Sequence, residues 1–194
     1  GVAVPLKDIE ELCGKTRGIV VVDEAYIDFS SEGTAVSLLD KYPNVIVLQT
    51  LSKAWGMAGL RLGMCFASRE IISVLNKVKP PYNISSQTQK IALSLLCDVE
   101  TFQERKNEIL RERERLLVEL RKMSIFTHVY ASQGNFILVR TACCDELYRY
   151  LVDGGIVVRK RDIPPLIGGG IRITVGTPQE NDLLIDLLTK YNTI

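Results

Sequence analysis

The chain has 194 residues, 46% of them hydrophobic and 24% charged, with a formal net charge of +1. There are 10 Lys/Arg against 9 Asp/Glu up to residue 90 and 14 against 14 after it, so neither half is a basic or acidic arm, and nucleic acid and anionic membranes are poor partners. Five cysteines without a C-x-x-C spacing, together with the single histidine His128, give neither a disulfide framework nor a zinc or other metal site.

The cysteines read as reduced, mostly buried thiols of a cytoplasmic protein, and no apolar run reaches membrane-spanning length. The start, Gly1 to Asp8, lacks the basic and apolar blocks of a signal peptide and has no initiator methionine; it has the look of a chain cut from something longer.

Pro5 to Leu12 is expected to be a helix, with Pro near its start, acidic residues in its first turns and Gly14 beyond its end. Gly18 to Val22 is rich in β-branched residues, as in a strand buried on both faces, and ends in Asp23-Glu24. Thr34 to Tyr42 is expected to be helical. Val45 to Leu48 is a second buried strand that runs almost straight into Thr50-Leu51-Ser52-Lys53, and Leu62 to Ala67 is a third. Strands alternating with helices predict an α/β unit with a mostly parallel sheet.

From about Ser85 the pattern changes. Ser86 to Leu96 is an apolar helix, and Asp98 caps a long charged helix to about Lys122 whose apolar face is Phe102, Ile109, Leu116 and Leu120. The Arg-Glu alternation at Arg111 to Arg115 is expected to be a solvated helix face. Strands follow at Phe126 to Tyr130 and Asn135 to Arg140, joined by a turn at Ser132-Gln133-Gly134. A helix at Cys144 to Leu151, strands at Ile156 to Arg159 and Ile171 to Val175, a loop at Pro164 to Gly170 and a closing helix at Asp182 to Lys190 complete an α+β unit.

Ligands of open parallel sheets bind at the carboxyl ends of the strands. Asp23 follows one strand end and Lys53 the next. Around Lys53, Thr50 and Ser52 offer hydroxyls and Arg61 a guanidinium across the small segment Gly56-Met57-Ala58-Gly59, the ingredients of a phosphate cradle. A lysine beside a phosphate, with an acid at the neighbouring strand end, suits a phosphorylated aldehyde cofactor that the amine attacks. Asp23 could instead merely cap a loop, and Tyr26 could be a core aromatic with its hydroxyl at the surface. A generic nucleotide-binding unit would need a Gly-rich turn after the first strand, and Val22-Asp23-Glu24-Ala25-Tyr26 has none. His128 carries no role.

Three ordered blocks, Val22 to Tyr26, Ser52 to Gly63 and Ile171 to Thr177, resemble the fold-type I aminotransferases, and within them most of all the histidinol-phosphate aminotransferase family. The resemblance covers essentially the whole chain, but only about the second half of a family chain. It implies a large cofactor-binding α/β domain, in part, over 1–90 and a small C-terminal α+β domain over 91–194. It implies pyridoxal 5'-phosphate as cofactor, with Lys53 as its Schiff-base lysine and proton carrier. Asp23 is then the partner of the pyridine nitrogen, which a nearby carboxylate keeps protonated. Tyr26 is the donor to the ring oxygen, and Ser52, Arg61 and Thr50 are the phosphate holders. Arg172 and Arg159 grip the substrate's carboxylate or phosphate, and Tyr82 and Asn135 line its side of the site.

The implied reaction moves an amino group between L-histidinol phosphate, or imidazole-acetol phosphate, and glutamate, or 2-oxoglutarate, in a cytoplasmic homodimer. An aromatic or broad-specificity transaminase of the same subgroup is the enzyme alternative. Threonine-phosphate decarboxylase is a further relative, which the lysine block resembles less. Family chains carry Asn-Pro-x-x-Pro-Thr-Gly just before the first helix, with Gly1 in the place of its last residue. The preceding half supplies an asparagine, a stacking aromatic and phosphate-binding amides. A true fragment is therefore expected to bind the cofactor weakly or not at all and to be inert.

Overall fold

Pro5 sets the start of α1 (Leu6–Lys15): its carbonyl accepts from the Asp8 and Ile9 amides, and the helix buries Cys13 against Val20, Val45 and Val47. Asn44 then pins the chain between helix and strand, its Nδ2 donating to the carbonyls of Cys13, Thr16 and Gly18. With Gly18 so engaged, β1 starts two residues later than its β-branched run suggests and covers Val20–Asp23.

The computed structural model describes residues 1–162 and 169–193. It divides into two compact units, Ala3–Glu104, and Arg105–Ile194 together with Gly1–Val2. The stretch 163–168, which includes most of the loop expected before Gly170, lies outside the described residues.

In the first unit β1, β2 (Val45–Thr50) and β3 (Gly63–Ala67) form a sheet in that order. β1 and β2 are parallel, whereas β2 and β3 are antiparallel. The sheet is therefore mixed rather than mostly parallel. The connection from β2 to β3 contains only a 3-10 turn at Ala58–Leu60, and a parallel return needs a crossover, usually a helix.

β1 is not buried on both faces either: Val20 is in the core, but Val21 is 56% exposed. The helix expected over Thr34 to Tyr42 shrinks to a 3-10 turn at Ala35–Leu38. Ser37 Oγ bonds back to the Thr34 carbonyl, and Pro43 opposes helical geometry in the residue before it. Ser68 and Ser85 cap α2 (Arg69–Val78) and α3 (Ser86–Leu96) through their side-chain oxygens; α2 is additional to the elements expected from sequence.

Asp98 Oδ1 accepts the Thr101 amide at 3.2 Å and starts α4 (Val99–Arg121), within which the two units divide between Glu104 and Arg105. The second unit continues with β4 (His128–Val129), β5 (Phe136–Arg140), α5 (Cys144–Asp153), β6 (Arg159–Arg161), β7 (Gly170–Thr174) and α6 (Pro178–Asn192). Its four strands run in the order β4-β5-β7-β6, each pair antiparallel. The inward residues Ile137, Val139, Ile171 and Ile173 pack on Leu116, Leu120, Leu147, Leu151 and Leu188 from the helices.

β6 begins at Arg159, three residues after Ile156. The amides of Gly154, Gly155 and Ile156 close the end of α5 onto Tyr150, Val152 and Leu151, and a chain tied into a helix cap cannot join a ladder. α6 opens on a capping box in which Thr177 and Glu180 satisfy each other's backbone amides.

The Arg-Glu run on α4 is only partly solvated, against expectation. Arg113 is 8% exposed and donates from Nη1 to the Gly134 carbonyl at 3.2 Å. Arg115 bridges Glu112 and Asp182, each at 2.7 Å. Glu112 also accepts from Asn181 Nδ2 at 2.7 Å, and its pKa lies below the ordinary carboxylate value, chiefly through the Arg115 hydrogen bond against the opposing effect of burial.

Asn181, 1% exposed, also pairs with the amide and carbonyl of Gly176. Asn181→Ala strands these buried groups, so it is expected to lower unfolding free energy by about 1–3 kcal/mol. Urea denaturation reads this as a lower midpoint at unchanged slope; an unmoved midpoint removes the network from the account of stability.

Candidate active site

Asp23 stands opposite Leu48 in the parallel ladder, so the carboxyl ends of β1 and β2 open on one edge of the sheet, where α/β folds place ligands. Asp23 is exposed. One of its oxygens accepts the Ala25 amide at 3.0 Å, which turns the chain and leaves the second oxygen for another donor. Tyr26 follows, half-buried.

The segment after β2 is built to hold a lysine outward. Leu51, Ala54 and Met57 are each under 9% exposed. The Met57 amide bonds to the Leu51 carbonyl, the Gly56 amide to the Lys53 carbonyl, and the Leu51 amide to the Leu62 carbonyl. Gly56 takes φ +67°, a left-handed turn suited to glycine. Trp55 stacks on Phe102 at 3.9 Å between ring centroids and 8° between planes, anchoring the loop on the first turns of α4.

Between these anchors Lys53 is exposed, and its Nζ sits 5.2 Å from the Tyr26 ring centroid. No ion pair of the described residues includes Lys53. The structure thus brings Lys53 to Tyr26 across the two strand ends, and Tyr26 lies one turn from Asp23.

Thr50 and Ser52 share a local network. The Thr50 hydroxyl accepts the Ser52 amide at 3.1 Å and lies 3.0 Å from Ser52 Oγ and 3.3 Å from the Leu62 carbonyl. Thr50 therefore shapes the loop, while Ser52 stands at its rim. Arg61 adopts φ +54° and donates from Nη1 to the Ala58 carbonyl at 3.0 Å. A non-glycine residue in this region is strained, and such strain clusters at ligand clamps. Tyr82, between α2 and α3, is 95% exposed and meets none of these residues.

The second unit gathers its own cations. Arg172 on β7 is the register partner of Arg159 on edge strand β6, so both guanidiniums start from one face of the sheet. Like charges placed directly opposite repel, and an anion between them relieves this. Arg172 lies over the Phe136 ring at 5.0 Å, and its Nε is buried with no hydrogen-bond partner. Phe136 follows Asn135 directly, and the Val175 amide bonds to the Asn135 carbonyl. Arg113 and Ser132 shape this turn: Ser132 Oγ accepts the Gly134 amide and donates to the Phe136 carbonyl.

Sequence reasoning missed Phe136 and Trp55 as supports. Phe136 was findable: two residues from Leu138, the partner of Arg172, it sits diagonally on the same face. The Trp55–Phe102 stack has no local signal. Its residues are 47 positions apart.

In the first unit, an exposed amine that enters no ion pair of the described residues stands over a phenol, which suits a phosphorylated aldehyde; in the second unit, a buried guanidinium nitrogen without an acceptor suits an anion. The model of the family described as "Aminotransferase class I and II" matches residues 1–188. A histidinol-phosphate aminotransferase of Cytophaga hutchinsonii is 51% identical over 183 residues, 94% of this chain and 53% of that one. One from Parabacteroides distasonis is 54% identical over 172 residues, 89% of this chain and 50% of that one. This chain thus spans about half the length of these relatives. The fold matches, at 24% identity and a TM-score of 0.86, the crystal structure of a histidinol-phosphate aminotransferase from Sinorhizobium meliloti in complex with pyridoxal-5'-phosphate, over 100% of this chain and 54% of that one.

Proposed function

We propose, for a chain that belongs to the class I and II aminotransferases, that it supplies the lysine and the substrate arginines of a pyridoxal-phosphate-dependent transaminase. Its substrates are L-histidinol phosphate or imidazole-acetol phosphate on one side and glutamate or 2-oxoglutarate on the other, as in histidine biosynthesis. The observation that carries the substrate assignment is the Arg159–Arg172 register pair with the unpartnered Arg172 Nε. Two guanidiniums suit a phosphate, which accepts bidentate, charge-assisted hydrogen bonds.

When bound, the cofactor supplies an aldehyde carbon and a ring that accepts the electron pair left at the substrate's α-carbon. Lys53 Nζ would hold the cofactor's aldehyde carbon and, once the substrate's amine has displaced it, would be free to carry the α-carbon proton. Asp23 keeps the proton on the ring nitrogen, since a carboxylate favours the charged form. The Tyr26 phenol donates to the ring oxygen, and Ser52, Arg61 and, through its loop, Thr50 orient the phosphate. Arg172, Arg159, Asn135 and Tyr82 orient the substrate. On this reading residues 1–90 belong to the large cofactor-binding domain and 91–194 to the small one, and the working protein is a cytoplasmic homodimer.

Turnover with 2-oxoglutarate separates the substrates. The kcat/KM for histidinol phosphate is expected to exceed that for phenylalanine by at least about a hundredfold, because charge-assisted bonds to the phosphate are worth about 1.5–3 kcal/mol each. Equal values assign the protein to the aromatic or broad-specificity transaminases, and no transfer with either removes the enzymatic reading of this chain.

A further inference from the structure

Between Asp23 and Tyr26 lies a buried acid that the proposed chemistry does not use. Glu24 is 7% exposed. Its Oε1 accepts the Ala35 amide at 2.6 Å, and its Oε2 accepts the Thr34 hydroxyl at 2.7 Å and Gln49 Nε2 at 2.8 Å. Its own amide donates to the Leu48 carbonyl at 2.8 Å, and its carbonyl accepts the Ile27 amide at 3.1 Å. No ion pair of the described residues includes it. The carboxylate is held by neutral donors alone.

A buried carboxylate without a countercharge is a costly way to fasten a loop. Gln49 is the residue before Thr50, which in turn accepts the Ser52 amide. Glu24 is flanked by Asp23 and opens the turn through Ile27 that carries Tyr26. One side chain therefore clamps the segment bearing Asp23 and Tyr26 to the strand that delivers Ser52 and Lys53. The Thr34–Ala35 turn closes over it as a third anchor.

We infer that Glu24 is a positioning residue: its carboxylate, through Gln49, fixes the end of β1 against the end of β2 and so holds the Lys53 amine over Tyr26. The inference rests on the assignment of Asp23, Tyr26 and Lys53 to the cofactor site. The side-chain clamp itself does not depend on it. Misplacement by about an ångström by a group outside the chemistry can cost about a hundredfold in rate.

Two variants test this. Glu24→Ala removes the whole clamp, and Gln49→Ala cuts only its link to β2, which keeps the test alive if the first variant fails to fold. Hydrogen exchange without cofactor is followed at the Leu51, Gly56 and Met57 amides and at Ile137 and Ile173 as distant controls. Exchange at the loop amides is expected to quicken at least tenfold in each folded variant, with the controls unchanged. In protein loaded with pyridoxal phosphate, the pH at which the Lys53-bound cofactor's absorbance titrates is expected to shift, and kcat to fall about a hundredfold, with KM moving far less.

Unchanged loop exchange in folded Gln49→Ala overturns the inference, as does quickening spread evenly over the controls. If the parent protein takes up no cofactor while loop exchange still quickens, the reading of this chain as holding the cofactor on its own fails and the clamp stands as a structural device.

Discussion

Lys53→Ala is expected to lower amino-group transfer by about four orders of magnitude, the upper end of what a positioned proton-transfer group contributes, and to abolish borohydride-stable attachment of pyridoxal phosphate to the chain. The size of the effect follows from the loop. Leu51, Ala54 and Met57 are fixed in the core, and Lys53 is the only amine between Lys41 and Lys77. A neighbouring lysine cannot take its place without refolding the segment.

Lys53→Arg is expected to fare no better, because a guanidinium stays protonated and cannot act as the amine nucleophile. The Tyr26 ring beside Nζ remains in both variants, so losses in rate belong to the amine. The measurement pairs steady-state rates with the intact mass after borohydride treatment. Labelling that persists in Lys53→Ala would falsify the assignment.

The second large effect concerns substrate grip. Arg172→Ala is expected to raise the KM for histidinol phosphate by about a hundredfold, in line with about 1.5–3 kcal/mol for a hydrogen bond to a charged group. Arg172→Lys should recover little, since a point charge does not replace a planar bidentate donor stacked on Phe136. Arg159, exposed on the edge strand, should cost less in general but more for phosphorylated than for unphosphorylated substrates. A double-mutant cycle between the two arginines reads their coupling. Strict additivity, together with equal losses for both substrate types, would count against a shared anion between the register partners.

The placement of Asp23 and Lys53 at neighbouring strand ends was legible because its elements are local. Asp23 ends one apolar β-branched run and Lys53 lies three residues past the strand formed by the next, and strand ends are visible in sequence. The blocks around them carry their own turn chemistry, such as Gly56 at φ +67°. Helices α3 and α4 were legible through their periodicity and through Asp98 as cap. What sequence could not show was set by distant partners. The sheet became mixed because the twelve residues between Thr50 and Gly63 hold no crossover helix, and strand direction is a property of the connection. Arg113 looked solvated because its acceptor, the Gly134 carbonyl, lies 21 residues away in the turn before β5. Glu24 looked like part of a strand-end motif, whereas its carboxylate is spent on Thr34, Ala35 and Gln49. The helix expected over Thr34 to Tyr42 failed for a local reason that propensity alone understates: the Ser37 hydroxyl competes for the backbone.

Helix α4 passes from one compact unit to the other without a break between Glu104 and Arg105, and this governs how the protein can be recombined. The seam has no glycine, proline or serine to serve as a splice point. A chimera that joins this chain's first unit to a relative's second must be cut inside a helix, and it keeps the i to i−4 hydrogen bonds across the junction only where the joined sequence stays helical through it. Exchange of parts among such proteins is therefore constrained here by the continuity of a helix, and crossovers with good helix formers on both sides of the junction are the ones that should yield folded hybrids.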